Sequence, residues 1–234
     1  MFLVQLRMLN FIKRWFNPLE QGIDDSGSNE PTVNWLHGAN QSGLSFQYLR
    51  SSTQFKNELV VEYDTSHKFK DNLEMLSNEI LKVRGPYFMI GHSLGGLYAL
   101  HLTKNVDVAG AVSISTPFAG SWTADWARFF VPTYQLFRDV GRRSIPIKES
   151  QNIKLTVDWT QIVSTKGNVP YHGGQNDGVC TIKSMKSRKD MELIEVPHTH
   201  FEVMCSDLVV KIILERYQKV VKSKKIGNVI QKPF

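Results

Sequence analysis

Apolar positions along the chain recur in two rhythms. Short, nearly continuous apolar runs begin at "TVNWLHG" (32–38) and return as "ELVVEYD", "GPYFMIG", "VAGAVSIST", "WTQIVST" and "MELIEVP". Between them lie stretches with helical spacing. "LSFQYLRSS" is one, and "FKDNLEMLSNEILKV" sets Phe69, Leu73, Leu76, Ile80 and Val83 on a single face. "LGGLYALHLTKN" reads as a helix, and "FEVMCSDLVVKIILERYQKVV" as a long final one starting at Phe201. Strands alternating with helices, most of them apolar on both faces, predict an α/β domain: a mostly parallel sheet covered on both sides.

The rhythm breaks in two places. "DDSGSNEP" (24–31) is polar and rich in turn formers, and it separates residues 1–31 from a domain spanning 32–222. Residues 118–150 interrupt the alternation as an insertion. In it Trp122, Trp126, Phe129, Phe130, Tyr134 and Phe137 recur at helical intervals broken by Pro132. Such a face either holds an apolar substrate group or packs on the domain. Residues 223–234 form a basic tail.

The 234 residues carry 41% hydrophobic residues and a net charge of +6, with much of the excess near the end in "KVVKSKKIGNVIQKPF". The balance favours anionic surfaces mildly. No zinc-finger spacing, RNA-binding signature or Arg-rich arm is present, so nucleic acid is not an expected partner. Cys180 and Cys205 are too few for a disulfide scaffold and read as free thiols in a reducing compartment. The start, "MFLVQLRMLNFIKRWFNPLE", lacks the uninterrupted apolar core and small-residue site of a secretory signal. It reads as a helix docked on its own domain, or as an interfacial one. The expectation is a cytoplasmic protein, with peripheral membrane contact through the N-terminal segment and the basic tail as a further option.

The chemistry concentrates in "GHSLG". Ser93 falls between a strand and a helix, at the sheet edge where parallel sheets place their ligand sites. A turn that sharp strains the middle residue and leaves no room for side chains two positions away, which accounts for Gly91 and Gly95. The helix opening at Leu94 aims free N–H groups at the same place. Ser93 is therefore the candidate nucleophile, although glycines there could also serve packing alone.

A serine needs a base, and the base a carboxylate. Of seven histidines, His92 lies inside the turn, His37 in an early loop, and His67 and His101 before or within helices. His172 shares the loop expected to carry the acid. "VPHTHFEVM" follows the last strand, so His198 and His200 compete for the role. For the acid, Asp177 follows "WTQIVST" on an Asn-Asp-Gly turn. Asp158 lies before its strand, at the wrong edge, and Asp64 comes before the serine in chain order, so Asp177 fits best. Backbone N–H groups of Leu94 and of Ala39, after the "HG" turn of the first strand, are candidate oxyanion donors.

Together "WLHGANQSG", "GHSLGG", "STPFAGSW", "NDGVCT" and "HTHFEVMCSDLV" resemble lipase- and esterase-like α/β-hydrolases from about residue 32 to about 220. The resemblance implies the α/β-hydrolase fold with a small helical cap at 118–150. It implies Ser93 as nucleophile, Asp177 as acid and Ala39 as an oxyanion amide. Its pattern of His, two residues, two apolar residues and Ser or Asp fits "HFEVMCSD" and prefers His200 over His198. The implied activity is hydrolysis of small-molecule or lipid esters through an acyl-enzyme, needing no metal or organic cofactor. The same residues would serve a thioesterase, amidase or acyltransferase, and a non-catalytic binding module is the remote option. Cys180, beside the acid loop, and the N-terminal segment depart from the family's pattern.

Overall fold

The computed structural model describes residues 30–130, 135–167, 169–170 and 174–230. The expected N-terminal helix, His172, Pro132, Tyr134, the side chain of Trp126 and the end of the basic tail lie outside the described residues.

Six strands form one sheet in the order β2-β1-β3-β4-β5-β6. They are β1 (Thr32–Leu36), β2 (Glu58–Val60), β3 (Tyr87–His92), β4 (Val108–Ile114), β5 (Trp159–Ser164) and β6 (Glu192–Val196). Every neighbouring pair is parallel. Parallel pairing requires crossovers, and helices supply them. Those used below are α1 (Gln47–Thr53), α2 (Phe69–Ile80), α3 (Leu94–Leu102), the insertion's α4 (Trp122–Phe130), α5 (Gln135–Val140) and α6 (Ile145–Asn152), then α7 (Ile182–Met185) and α8 (Asp207–Ile230).

Side-chain alternation divides the core into two layers. Leu36, Tyr87, Met89 and Ala111 face α2, α3 and α6. Val33, Trp35, Phe88, Ile90, Val112 and Ile114 face α1 and α8. All nine residues of α3 are buried, so it is apolar all round rather than amphipathic. No helix among the described residues is long and apolar enough to cross a membrane.

Two elements depart from the sequence pattern. The final helix begins at Asp207, not Phe201: residues 202–205 form a 3-10 turn and Ser206 is extended. The "ELVVEYD" run pairs only as far as Val60. Beyond it Val61 and Tyr63 stay buried without a strand partner, and the Tyr63 N–H goes to the His37 ring instead.

Candidate active site

The site is built at the carboxyl edge of the sheet. Ser93 joins β3 to α3 with φ 52° and ψ −118°. A side-chain-bearing residue rarely holds such angles unless its surroundings enforce them. Here the Ser93 N–H donates to the Ile114 carbonyl of β4 (2.8 Å), while its own carbonyl accepts from Gly96 N–H (3.2 Å). Glycines allow α3 to come this close. A Cβ at Gly91 would stand 2.5 Å from the Gly95 carbonyl carbon, and one at Gly95 only 1.9 Å from the Leu36 oxygen. Gly96 is under the same constraint from Thr116, 1.9 Å away, a third close approach that the sequence reading left aside.

Asp177 and His200 meet. His200 Nδ1 lies 2.7 Å from Asp177 Oδ2, with both side chains buried. The two backbones are also joined, His200 N–H donating to the Asp177 carbonyl (3.0 Å). The carboxylate is held on all sides. Oδ1 accepts the N–H groups of Val179 (3.0 Å) and Cys180 (2.7 Å), and Oδ2 also accepts the Ser164 hydroxyl (2.5 Å). Burial opposes the charge on Asp177, but the hydrogen bond and charge of His200, with those from Ser164 and Cys180, outweigh it and hold the carboxyl below its usual range. An ionised carboxylate can only accept, so Nδ1 of His200 carries a proton. The neutral ring then keeps its lone pair on Nε2.

The competing residues have other work. His198 Nε2 pairs with the Ser206 hydroxyl (2.9 Å). Asp158, at the amino end of β5, is exposed and ion-paired with Lys219 (2.8 Å). Asp64 is exposed and accepts the Ser66 N–H (2.8 Å). His37 is buried and stacked on Tyr63 at 4.0 Å. Burial lowers its pKa.

The turn after β1 sets the Ala39 amide. Gly38 N–H goes to Gln41 Oε1 (3.1 Å) and Asn40 N–H to Thr65 Oγ1 (3.2 Å). Between them the Ala39 N–H has no acceptor among the described residues. The Leu94 N–H opens α3, where a helix offers no internal acceptor.

In the insertion, Phe129 and Phe130 are largely exposed and Trp122 is partly so, while α6 packs against α3. A cleft of about 690 Å³ runs between Trp122 and Arg142 of the insertion and Gln175, Thr181 and Lys183 around the Asp177 loop.

Asp177, Cys180 and His200 place possible metal-ligating atoms within 4.8 Å of one another. They make a poor metal site: the carboxylate already accepts four hydrogen bonds. Burial, with the Asp177 charge, pushes the Cys180 thiol well above its usual range, so it stays protonated. Cys180 and Cys205 are both free.

No protein-family model and no curated protein matches the chain. Solved structures do match. The phospholipase PlaB from Legionella pneumophila superposes with a TM-score of 0.62 at 12% identity, covering 84% of this chain and 63% of the phospholipase. This chain thus spans less than two thirds of that protein. A monoacylglycerol lipase from Paleococcus ferrophilus gives 0.56 at 13% identity over 82% of this chain and 96% of the lipase. A YdeN-like hydrolase from Pectobacterium atrosepticum gives 0.54 at 16% over 93% and 98%. The chain has the α/β-hydrolase fold. At these identities the likeness speaks for the fold alone. Within the α/β-hydrolase fold, the insertion of this chain joins β4 to β5, and the Asp177–His200 pair follows β5 and β6.

Proposed function

We propose that this chain is a serine hydrolase that cleaves carboxylic esters, lipid esters included, through an acyl-enzyme. The observations that support this reading are the buried 2.7 Å contact between Asp177 and His200 and, at the end of β3, a serine held at φ 52°. Packing needs neither a strained serine nor a buried carboxylate–imidazole hydrogen bond, and nucleophilic catalysis of the proposed kind uses both.

In the proposed reaction Ser93 Oγ attacks the ester carbonyl carbon while His200 Nε2 takes the hydroxyl proton. The carbonyl electron pair moves onto oxygen, and the Ala39 and Leu94 N–H groups stabilise that oxyanion. As it collapses, the ester C–O bond breaks, and His200 returns the proton to the departing alkoxide. Water then repeats the sequence on the acyl-serine, giving the acid and free Ser93. Asp177 keeps His200 in the Nδ1–H tautomer and stabilises its charged form. The solved neighbours named as a phospholipase and a monoacylglycerol lipase favour lipid esters as the first substrates to try.

The test is labelling with a fluorophosphonate, which reports an activated serine without knowledge of the substrate. Modification at Ser93, located by peptide mass spectrometry and absent from Ser93→Ala, is the expected result. Folded protein that takes up no label, and turns over neither short nor long nitrophenyl esters, would sink the proposal.

A further inference from the structure

The residue before the serine makes contacts that the proposed reaction does not use. His92 is fully buried at the end of β3. Its Nε2 lies 3.0 Å from the backbone carbonyl oxygen of His200, and its Nδ1 lies 3.0 Å from Gln41 Oε1. The same Gln41 oxygen accepts the Gly38 N–H, one residue before Ala39. The His92 and His200 rings are 4.9 Å apart. A single side chain thus reaches the two loops that flank Ser93.

We infer that His92 is a positioning residue, whose imidazole ties the His200 loop to the Ala39 loop and sets both against Ser93 as one unit. The inference rests on the reading of Ser93, His200 and Ala39 given above.

Proton counting shows that the tie is a constrained one. Burial, with the nearby His200, lowers the His92 pKa to about 3, so the ring is neutral near pH 7 and has one N–H. A carbonyl oxygen only accepts, so that proton sits on Nε2 and is committed to His200. Nδ1 is then an acceptor, and the Gln41 amide must turn its NH₂ group toward it. Yet Gly38 needs the Gln41 oxygen at the same place. Gln41 satisfies one neighbour or the other, so its amide has two competing orientations. One of them frees the Gly38 N–H beside that of Ala39.

The test compares His92→Met, which removes both contacts at similar size, with His92→Gln, which returns an amide N–H near the position of Nε2. Two readings are taken on folded protein. The first is the downfield proton NMR signal of the His200 Nδ1–H donated to Asp177. It should be sharp in the parent chain, broadened by water exchange in His92→Met, and recovered in His92→Gln. The second is turnover of a short nitrophenyl ester. His92→Met should lower kcat by about 10- to 100-fold with KM little changed, the scale expected when reacting groups are misplaced by a fraction of an ångström to an ångström. His92→Gln should restore most of it. A histidine that merely filled space would move the unfolding temperature and leave both readings alone. That result, or a folded His92→Gln as impaired as His92→Met, would overturn the inference. Should His92→Met not fold, Gln41→Met carries the test: lost kcat at unmoved KM supports the tie, and unchanged kcat overturns it. The NMR signal needs no turnover. A chain unlabelled at Ser93 whose His200 signal still depends on His92 would therefore refute the proposed function and leave the tie standing.

Discussion

Ser93 is held in a conformation costing on the order of 1–3 kcal/mol. The neighbours that enforce it are glycines and the Ile114 carbonyl. Glycine relaxes at such angles and alanine does not. Both Ser93→Gly and Ser93→Ala should abolish turnover, but Ser93→Gly should be the more stable by about 1 kcal/mol after the entropy of the unfolded chain is set against the strain. Urea midpoints of the two variants measure the difference. Equal midpoints would mean that the backbone is not strained. His200→Ala should lower kcat by on the order of 10⁶-fold, the scale for losing the base of such a triad. His198→Ala should keep most activity, since the hydrogen bond of its ring goes to Ser206 and not to Asp177. Steady-state kinetics of the pair decide between them. At this scale the sequence was readable wherever local geometry dictates residue type. Gly91 and Gly95 follow from the turn itself, and Asp177 from its place after β5. His200 and His198 were not separable by their place after the last strand; only the pattern that the family resemblance supplies preferred His200. His92 was passed over because its partners, Gln41 and the His200 carbonyl, lie 51 and 108 residues away. No local pattern encodes a contact of that range.

Among elements, α3 is the one whose position controls the site. It lies so close to β1 that a methyl group at Gly95 would enter the Leu36 carbonyl. Gly95→Ala should destabilise the chain by about 3 kcal/mol, because the Leu36 and His37 carbonyls that the methyl group would meet are backbone and cannot rotate away. Thermal or urea unfolding gives the number, and a loss under about 1 kcal/mol would show that α3 can slide. The elements that the pattern misjudged failed for stated reasons. Over four residues, 3-10 and α periods bury the same positions, so Val203 and Met204 read as helix although the true helix waits until Asp207. In "ELVVEYD" burial continues after pairing ends, because Tyr63 is held by His37 and not by a strand. The aromatic spacing of α4 marks an amphipathic helix, yet spacing alone could not say that Phe129 and Phe130 face solvent.

For the whole molecule, acid should act well before the carboxylates titrate. His37, His92 and His101 are buried, and burial lowers the pKa of each, that of His92 to about 3. Unfolded histidine titrates near about 6.5. Below that value the unfolded chain binds protons that the folded chain refuses. Each such histidine then removes up to about 1.4 kcal/mol of stability per pH unit, from about pH 6.5 down to its folded pKa. The Asp177 contribution has the same sign but acts lower: it is complete above about pH 4 and lost as pH falls through the depressed folded value. Urea midpoints should be highest above about pH 6.5, and the slope below it should become shallower in His92→Gln. A flat profile from pH 7 to 5 would contradict the burial of these rings. The alternation of strands and helices made the layered parallel sheet readable at this scale. The order of strands across the sheet, with β1 between β2 and β3, is a long-range fact that local pattern leaves open.

That order has a consequence for the growing polypeptide. Ser93 emerges with the third strand, Asp177 only after the fifth, and His200 after the sixth. Synthesis runs from the amino end, so a nascent chain would carry its serine for some hundred residues before a base existed to arm it. Fragments left by stalled translation or by a protease cut ahead of residue 200 would lack the base that the proposed reaction requires. On the proposed reading, reactivity would arrive in one step, once the loop after the last strand is in place.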